Sequence, residues 1–204
     1  MKDDITLDSD PTLREALQRH LAESGFPPDG GVHDRWAVLR VGPVPFCLPN
    51  LAMRRRAMLP HDLNHVVSGY GHDLIGEAEV SAWELGSGCK DYAAAWILAW
   101  SAVGAGVFIN PRRTYGAFVR GRRTKNLFGA DVERMMELPV GTAQSSLGLD
   151  ASPASRPGDL ALFVLLVAAA PLVGALPVIV SVVTSPAWIA QGAHRQRRPS
   201  SSTI

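Results

Sequence analysis

Residues 160–183 form a run of 24 with no charged side chain. As a helix, a run of that length reaches across a hydrocarbon layer of about 30 Å. The expectation is membrane contact, either as a span or as a shallow re-entrant bent at Pro171 and Pro177; a hydrophobic core helix is the alternative. A second apolar stretch, residues 92–109, lies between basic clusters: Arg54, Arg55, Arg56 and Lys90 before it, and Arg112, Arg113, Arg120, Arg122, Arg123 and Lys125 after it. One crossing there would send a basic cluster outside, against the positive-inside tendency. It therefore reads as a buried core helix or the wall of a lipid-binding cavity. A net charge of +1 gives no sign of a nucleic-acid partner, and Cys47 and Cys89 form no Cys-x-x-Cys pair. The polar, acidic start is no secretory signal peptide, so a cytoplasmic N-terminus is expected.

The rest of the chain reads as helical. Asp10 followed by Pro11 is a start signal for a helix over 11–23, with Leu13, Leu17 and Leu21 on one face. Trp36–Val41, Gly42-Pro43 and residues 44–48 suit a small hairpin or extended arm, because Pro43, Pro45 and Pro49 exclude a central strand. Asn50 is placed to cap a short helix ending at Met58, and Pro60 to open the next one. A short helix over 131–138 follows the basic segment. The expected fold is an all-α helical domain at 1–138, a Gly/Ser/Ala/Pro-rich linker at 139–158, an apolar segment at 159–184 and a basic, disordered tail at 185–204.

The chemistry concentrates in residues 59–88. His61, Asp62 and His65 are followed, after eleven residues, by Glu77. His61 and His65 stand one helical turn apart and share a face. In one unbroken helix Glu77 would lie about 120° round the axis from His65. The break needed is present at Ser68-Gly69-Tyr70-Gly71, and Asp73 is placed to cap a second helix. A helix–turn–helix can thus return Glu77 over the two imidazoles. Two imidazoles and a carboxylate suit zinc first, with iron or manganese next and magnesium if carboxylates dominate. Helix-dipole reasoning at a first turn beginning at Pro60 favours a neutral His61. Tyr70, His72 and Asp73 are candidates to orient the ligands, Glu84 reads as a surface residue, and Arg54, Arg55, Arg56, Arg112 and Arg113 are candidates for a lipid headgroup or phosphate. A His-Asp phosphohydrolase would need further ligands; His33 with Asp91 or Asp131 are available, and nothing in the sequence distinguishes them.

The pattern His61-Asp62-x-x-His65-x11-Glu77, with the Gly-rich turn and the GEAEVSAWELG that follows, resembles the signature of the coenzyme Q biosynthesis protein 4 family. The resemblance covers about residues 10–145. It implies a largely helical, membrane-associated protein that holds a divalent metal through His61, Asp62, His65 and Glu77. It also implies a role in ubiquinone biosynthesis: decarboxylation and hydroxylation of a polyprenylated hydroxybenzoate at the ring carbon bearing the carboxylate, or organisation of the other biosynthetic proteins as a non-catalytic lipid-binding scaffold. The implied partners are a polyprenylated quinone precursor, those proteins and an anionic membrane surface, with a homo-oligomer left open. The apolar segment and basic tail depart from the basic family domain. They suggest a bacterial branch with its own anchor at the cytoplasmic face of the inner membrane.

Overall fold

The computed structural model describes residues 10–25, 27–41, 44–151 and 153–196. The fold is all-α, with eight helices and a two-stranded hairpin among these residues. The first helix, α1 (Leu13–Glu23), begins two residues later than expected. Its cap is Thr12, which forms a capping box with Glu15. Asp10 is drawn away from the capping role: its carboxylate accepts from the Gly141 N–H at 2.6 Å. Leu13, Leu17 and Leu21 are buried, as the spacing predicts.

The hairpin forms from β1 (Trp36–Val41) and β2 (Val44–Pro49), paired antiparallel. The expected turn at Gly42-Pro43 lies outside the described residues.

Helix α2 (Ala52–Ser68) corrects two expectations. Asn50 does not cap it: its amide nitrogen donates to the carbonyls of Gly31, Val32 and Asp34, tying the preceding loop, and Leu51 is the cap residue. Pro60 does not open a new helix but sits buried inside α2. The missing N–H removes one backbone bond, while Ala57, Leu63 and Val67 bury the apolar stripe on both sides of it. The helix does stop at the expected break. Gly69 adopts φ 76° and donates to the His65 carbonyl. Asp73 then caps α3 (Leu74–Ser87) through the Gly76 N–H at 2.8 Å.

Helix α3 runs through the middle of the molecule, with Val80, Ala82 and Trp83 fully buried. On one side it meets α5 (Pro111–Gly121) at backbone contact. Gly121 lies against the Trp83 carbonyl and Gly86 against the Phe118 carbonyl, with no room for a methyl group at either. On another side lies α4 (Ala93–Ile109), the apolar stretch read as a core helix. Ala94, Ala95, Ala99, Val103 and Gly106 are buried, whereas Phe108 at its end is 92% exposed.

The residues expected to be a linker contain α7 (Val140–Leu147), which follows the expected short helix α6 (Val132–Met136). Polar Ser and Gln make the segment look like loop, but Ala143 and Leu147, one turn apart, are both buried. The Gln144 amide also donates to the Val67 carbonyl of α2.

Helix α8 (Pro157–Gln196) contains the uncharged run and extends past it. The stretch from 185 to 196, expected to be disordered, continues the helix; residues 197–204 lie outside the described set. Adding a residue to an existing helix needs no new nucleus, so Ala, Gln and Arg positions can prolong it beyond Pro186. The start of α8 is pinned by Asp159, which takes Arg123 at 2.5 Å and the Arg156 N–H at 2.8 Å. Its middle packs on α4, where Trp100 donates to the Leu166 carbonyl at 2.7 Å. Farther on, the hydroxyl of Ser181 accepts from the Cys47 N–H of β2. Much of its remaining surface is bare: Leu165, Leu172 and Val183 are 69%, 83% and 71% exposed. Residues Pro157–Ile189 are long and apolar enough to cross a membrane.

Candidate metal centre

The turn between α2 and α3 brings Glu77 back over His61 and His65. Its two carboxylate oxygens stand 3.6 Å from His61 Nε2 and 3.5 Å from His65 Nε2. One donor atom from each of the three residues lies within 4.8 Å of the others, close enough to hold a metal ion. Both rings are oriented from behind. His61 Nδ1 lies 2.9 Å from a Glu84 oxygen, and His65 Nδ1 lies 3.1 Å from the Tyr70 carbonyl. Neither a carboxylate nor a carbonyl can donate, so Nδ1–H is the donor in each and Nε2 is left facing the centre. His65 Nε2 is buried and has no hydrogen-bond partner. An orphaned buried acceptor aimed at a carboxylate and a second imidazole fits a bound cation.

The structure brings the expected ligands His61, His65 and Glu77 together. Asp62 lies outside the donor group, its Oδ2 directed against Gly30. Burial pushes its carboxyl above the ordinary range, with His61 and His65 pulling the other way. Tyr70 contributes its backbone carbonyl, and Asp73 acts as the helix cap. Three residues were missed. Glu84, expected on the surface, has a side chain 1% exposed. Buried Asn64 joins it, donating to Glu84 at 2.8 Å and accepting from the Leu127 N–H at 3.0 Å. His20 arrives from α1, and with His65 and His72 it forms a second group of converging donors. Glu84 did carry a sequence signal, since it is seven residues after Glu77 and shares its helix face. Nothing in the spacing ties His20 to the motif.

Charge at the centre is polarised. Burial opposes a charged His61, but Glu84 and Glu77 outweigh it and hold its pKa well above the ordinary value. Burial likewise opposes a charged Glu77, but the neighbouring His61 and His65 imidazoles outweigh it and hold the carboxyl well below the usual range. This corrects the expectation of a neutral His61. The residue sits in the middle of α2 rather than in a first turn, and its neighbours are anionic. A metal taking His61 Nε2 must therefore displace a proton. His20 is driven the other way, down to about 3, by burial and by the nearby His72 and His65.

The arginines read as headgroup contacts are largely engaged within the protein. Arg113 makes a two-pronged pair with buried Glu79 at 2.8 and 2.5 Å. Arg56 pairs with Asp91 at 2.6 Å, Arg55 donates to the Asn50 carbonyl, and Arg54 donates to Asn50 Oδ1 at 3.0 Å. Arg112 is exposed. The end of α4 lies beside the centre: Gly106 packs on Ala78, next to Glu77, and Phe108 and Ile109 project beyond it. On the α1 side His20, His65 and Tyr70 border an open cleft of about 370 Å³ that also takes in Arg19 and Glu23.

No family model, no curated protein and no solved structure matches this chain.

Proposed function

We propose that this chain is a metal-dependent, membrane-associated protein of ubiquinone biosynthesis, acting on a polyprenylated hydroxybenzoate at the ring carbon that bears the carboxylate. The observation that carries the reading is the return of Glu77 to within 3.6 Å of His61 and His65, with the buried Nε2 of His65 left without a partner. The resemblance of this same pattern to the coenzyme Q biosynthesis protein 4 signature supplies the substrate class. Zinc is the first choice for two imidazoles and a carboxylate, with iron, manganese and magnesium as the other candidates. The metal supplies Lewis acidity toward charge developing on the ring or its carboxylate.

The chain's own residues do the rest. Glu84 and the Tyr70 carbonyl hold the two imidazoles in orientation. Asp62, whose carboxyl burial makes a weaker acid, adjoins His61 and is suited to hold a proton behind the centre, on the Gly30 side. The exposed apolar residues Phe108 and Ile109, next to Arg112, suit a prenyl tail and a lipid headgroup at the end of the molecule where Glu77 sits. The long apolar helix keeps that end at a bilayer, on the cytoplasmic face of a bacterial inner membrane.

Complementation tests the reading. The chain and its His65→Ala variant are expressed in a bacterial strain lacking its own ubiquinone-ring decarboxylating protein, and quinones and precursors are measured. Restored quinone with wild type, and a carboxylated precursor accumulating with His65→Ala, is the expected result. Equal quinone from both, with the precursor still bound to the protein, would replace the enzyme with a lipid-holding scaffold. No restoration by wild type and no bound precursor would remove the ubiquinone assignment.

A further inference from the structure

The second donor group takes only His65 from the pattern that suggested the first. His20 comes from α1, His65 from α2 and His72 from the turn before α3, and one nitrogen of each lies within 4.8 Å of the others. The rings of His20 and His72 are 3.8 Å apart, and those of His65 and His72 are 4.9 Å apart. His72 Nε2 and His20 Nδ1 approach to 3.0 Å. His20 Nε2, like His65 Nε2, is buried without a hydrogen-bond partner. Three imidazoles with no carboxylate among them make a donor set for zinc, copper, nickel or cobalt rather than for magnesium or calcium.

We propose that His20 and His72 build a second, outer metal position that shares the Nε2 of His65 with the inner position formed by His61 and Glu77. Sharing decides the stoichiometry. His65 Nδ1 is occupied in donating to the Tyr70 carbonyl, so the ring has one nitrogen to offer and the positions exclude one another. The outer one is nearer to solvent: His72 is exposed, and His20 borders the open cleft. An ion arriving from that side meets His72 and His20 first. It reaches the inner position by exchanging them for His61 and Glu77 while His65 keeps hold of it. Around a zinc, with bonds of about 2.0–2.1 Å, donor atoms stand about 3.4 Å apart, and the Glu77 oxygens, 3.6 and 3.5 Å from the two Nε2 atoms, already stand near that spacing. The proposal depends on the reading of His65 as a ligand and is independent of the ubiquinone assignment.

Cobalt(II) titration of the full-length, metal-free protein in detergent is the test, read by visible absorption and by a spectroscopic count of imidazole ligands. Wild type should bind one ion, not two. Glu77→Ala should still bind one, held by imidazole alone. Adding His20→Gln and His72→Gln to Glu77→Ala should abolish binding, while the melting transition shows that the variant remains folded. In the wild-type background His72→Gln should slow loading and leave the final content at one ion. Two ions per wild-type chain would overturn the sharing. No cobalt on Glu77→Ala, with one on wild type, would overturn the outer position and leave the inner one standing. Equal affinity and equal imidazole count in wild type and Glu77→Ala would instead remove the inner position. Binding to Glu77→Ala that survives both Gln substitutions would assign the ion to residues other than His20 and His72.

Discussion

Glu84 accepts from both His61 and Asn64 with a side chain that is 1% exposed. It fixes the tautomer that turns His61 Nε2 toward Glu77, so its effect on metal binding is exerted through His61. Replacement of Glu84 by Gln keeps the volume and loses the charge. Metal affinity should fall by about 10–100-fold, as measured by competition with a chelator of known affinity; an unchanged affinity would mean that Glu84 serves packing alone. Asn64 ties Glu84 to the Leu127 N–H. Asn64→Ala leaves both groups buried without it, and should lower unfolding free energy by about 1–3 kcal/mol for each, read from urea midpoints. At this scale the sequence was informative about Glu77, because a helix break was needed and Gly69 and Gly71 provided one. It was silent about whether the face shared by Glu77 and Glu84 turned inward. That depends on α4 and α5 covering α3, which no local pattern encodes. His20 was illegible for the same reason, since α1 meets α2 only through tertiary packing.

Among the elements, the crossing of α3 and α5 sets where Glu77 and Glu84 stand. Gly121→Ala puts a methyl into the Trp83 carbonyl and must push the helices apart. A loss of about 1–3 kcal/mol or more is expected in thermal or urea unfolding, with weaker metal binding as α3 shifts. Equal stability of wild type and variant would show that the crossing has slack. The docking of α8 carries a pH dependence. The Arg156 N–H, then Arg123, holds the Asp159 carboxyl below its ordinary value near 3.8, against the opposing effect of burial. A depressed carboxyl contributes stability that is present above the unfolded value and lost as pH falls through the folded one. Acidification below about pH 4 should therefore destabilise wild type more steeply than Asp159→Asn; parallel curves would contradict this. Helix boundaries were less legible than helix existence. Pro60 looked like a start because proline suits a first turn, yet the buried stripe on either side of it carries one helix through. Likewise α7 was hidden by its polar composition, although the Ala143–Leu147 pair that buries it was present in the sequence.

The whole molecule combines a helical body with one long apolar helix whose outward side chains have no partner among the described residues. The uncharged run made α8 legible at once. Its length beyond 184 was not, because continuation of an existing helix depends on propagation rather than on apolar content. Glu at both Leu165 and Leu172, which are 69% and 83% exposed, should cost little in water. In a bilayer centre each charge costs about 2.5–3.5 kcal/mol. If α8 contacts lipid, the double variant should leave the membrane pellet after an alkaline wash that retains wild type. Equal retention would place those residues away from the hydrocarbon.

Both metal positions depend on an ion at His65 Nε2, and the metal content of the purified full-length chain tests that most directly. Elemental analysis after loading should find about one transition-metal ion per wild-type chain and essentially none on a folded His65→Ala variant, since both donor groups include His65. No metal on wild type, or the same amount on both proteins, would contradict the account.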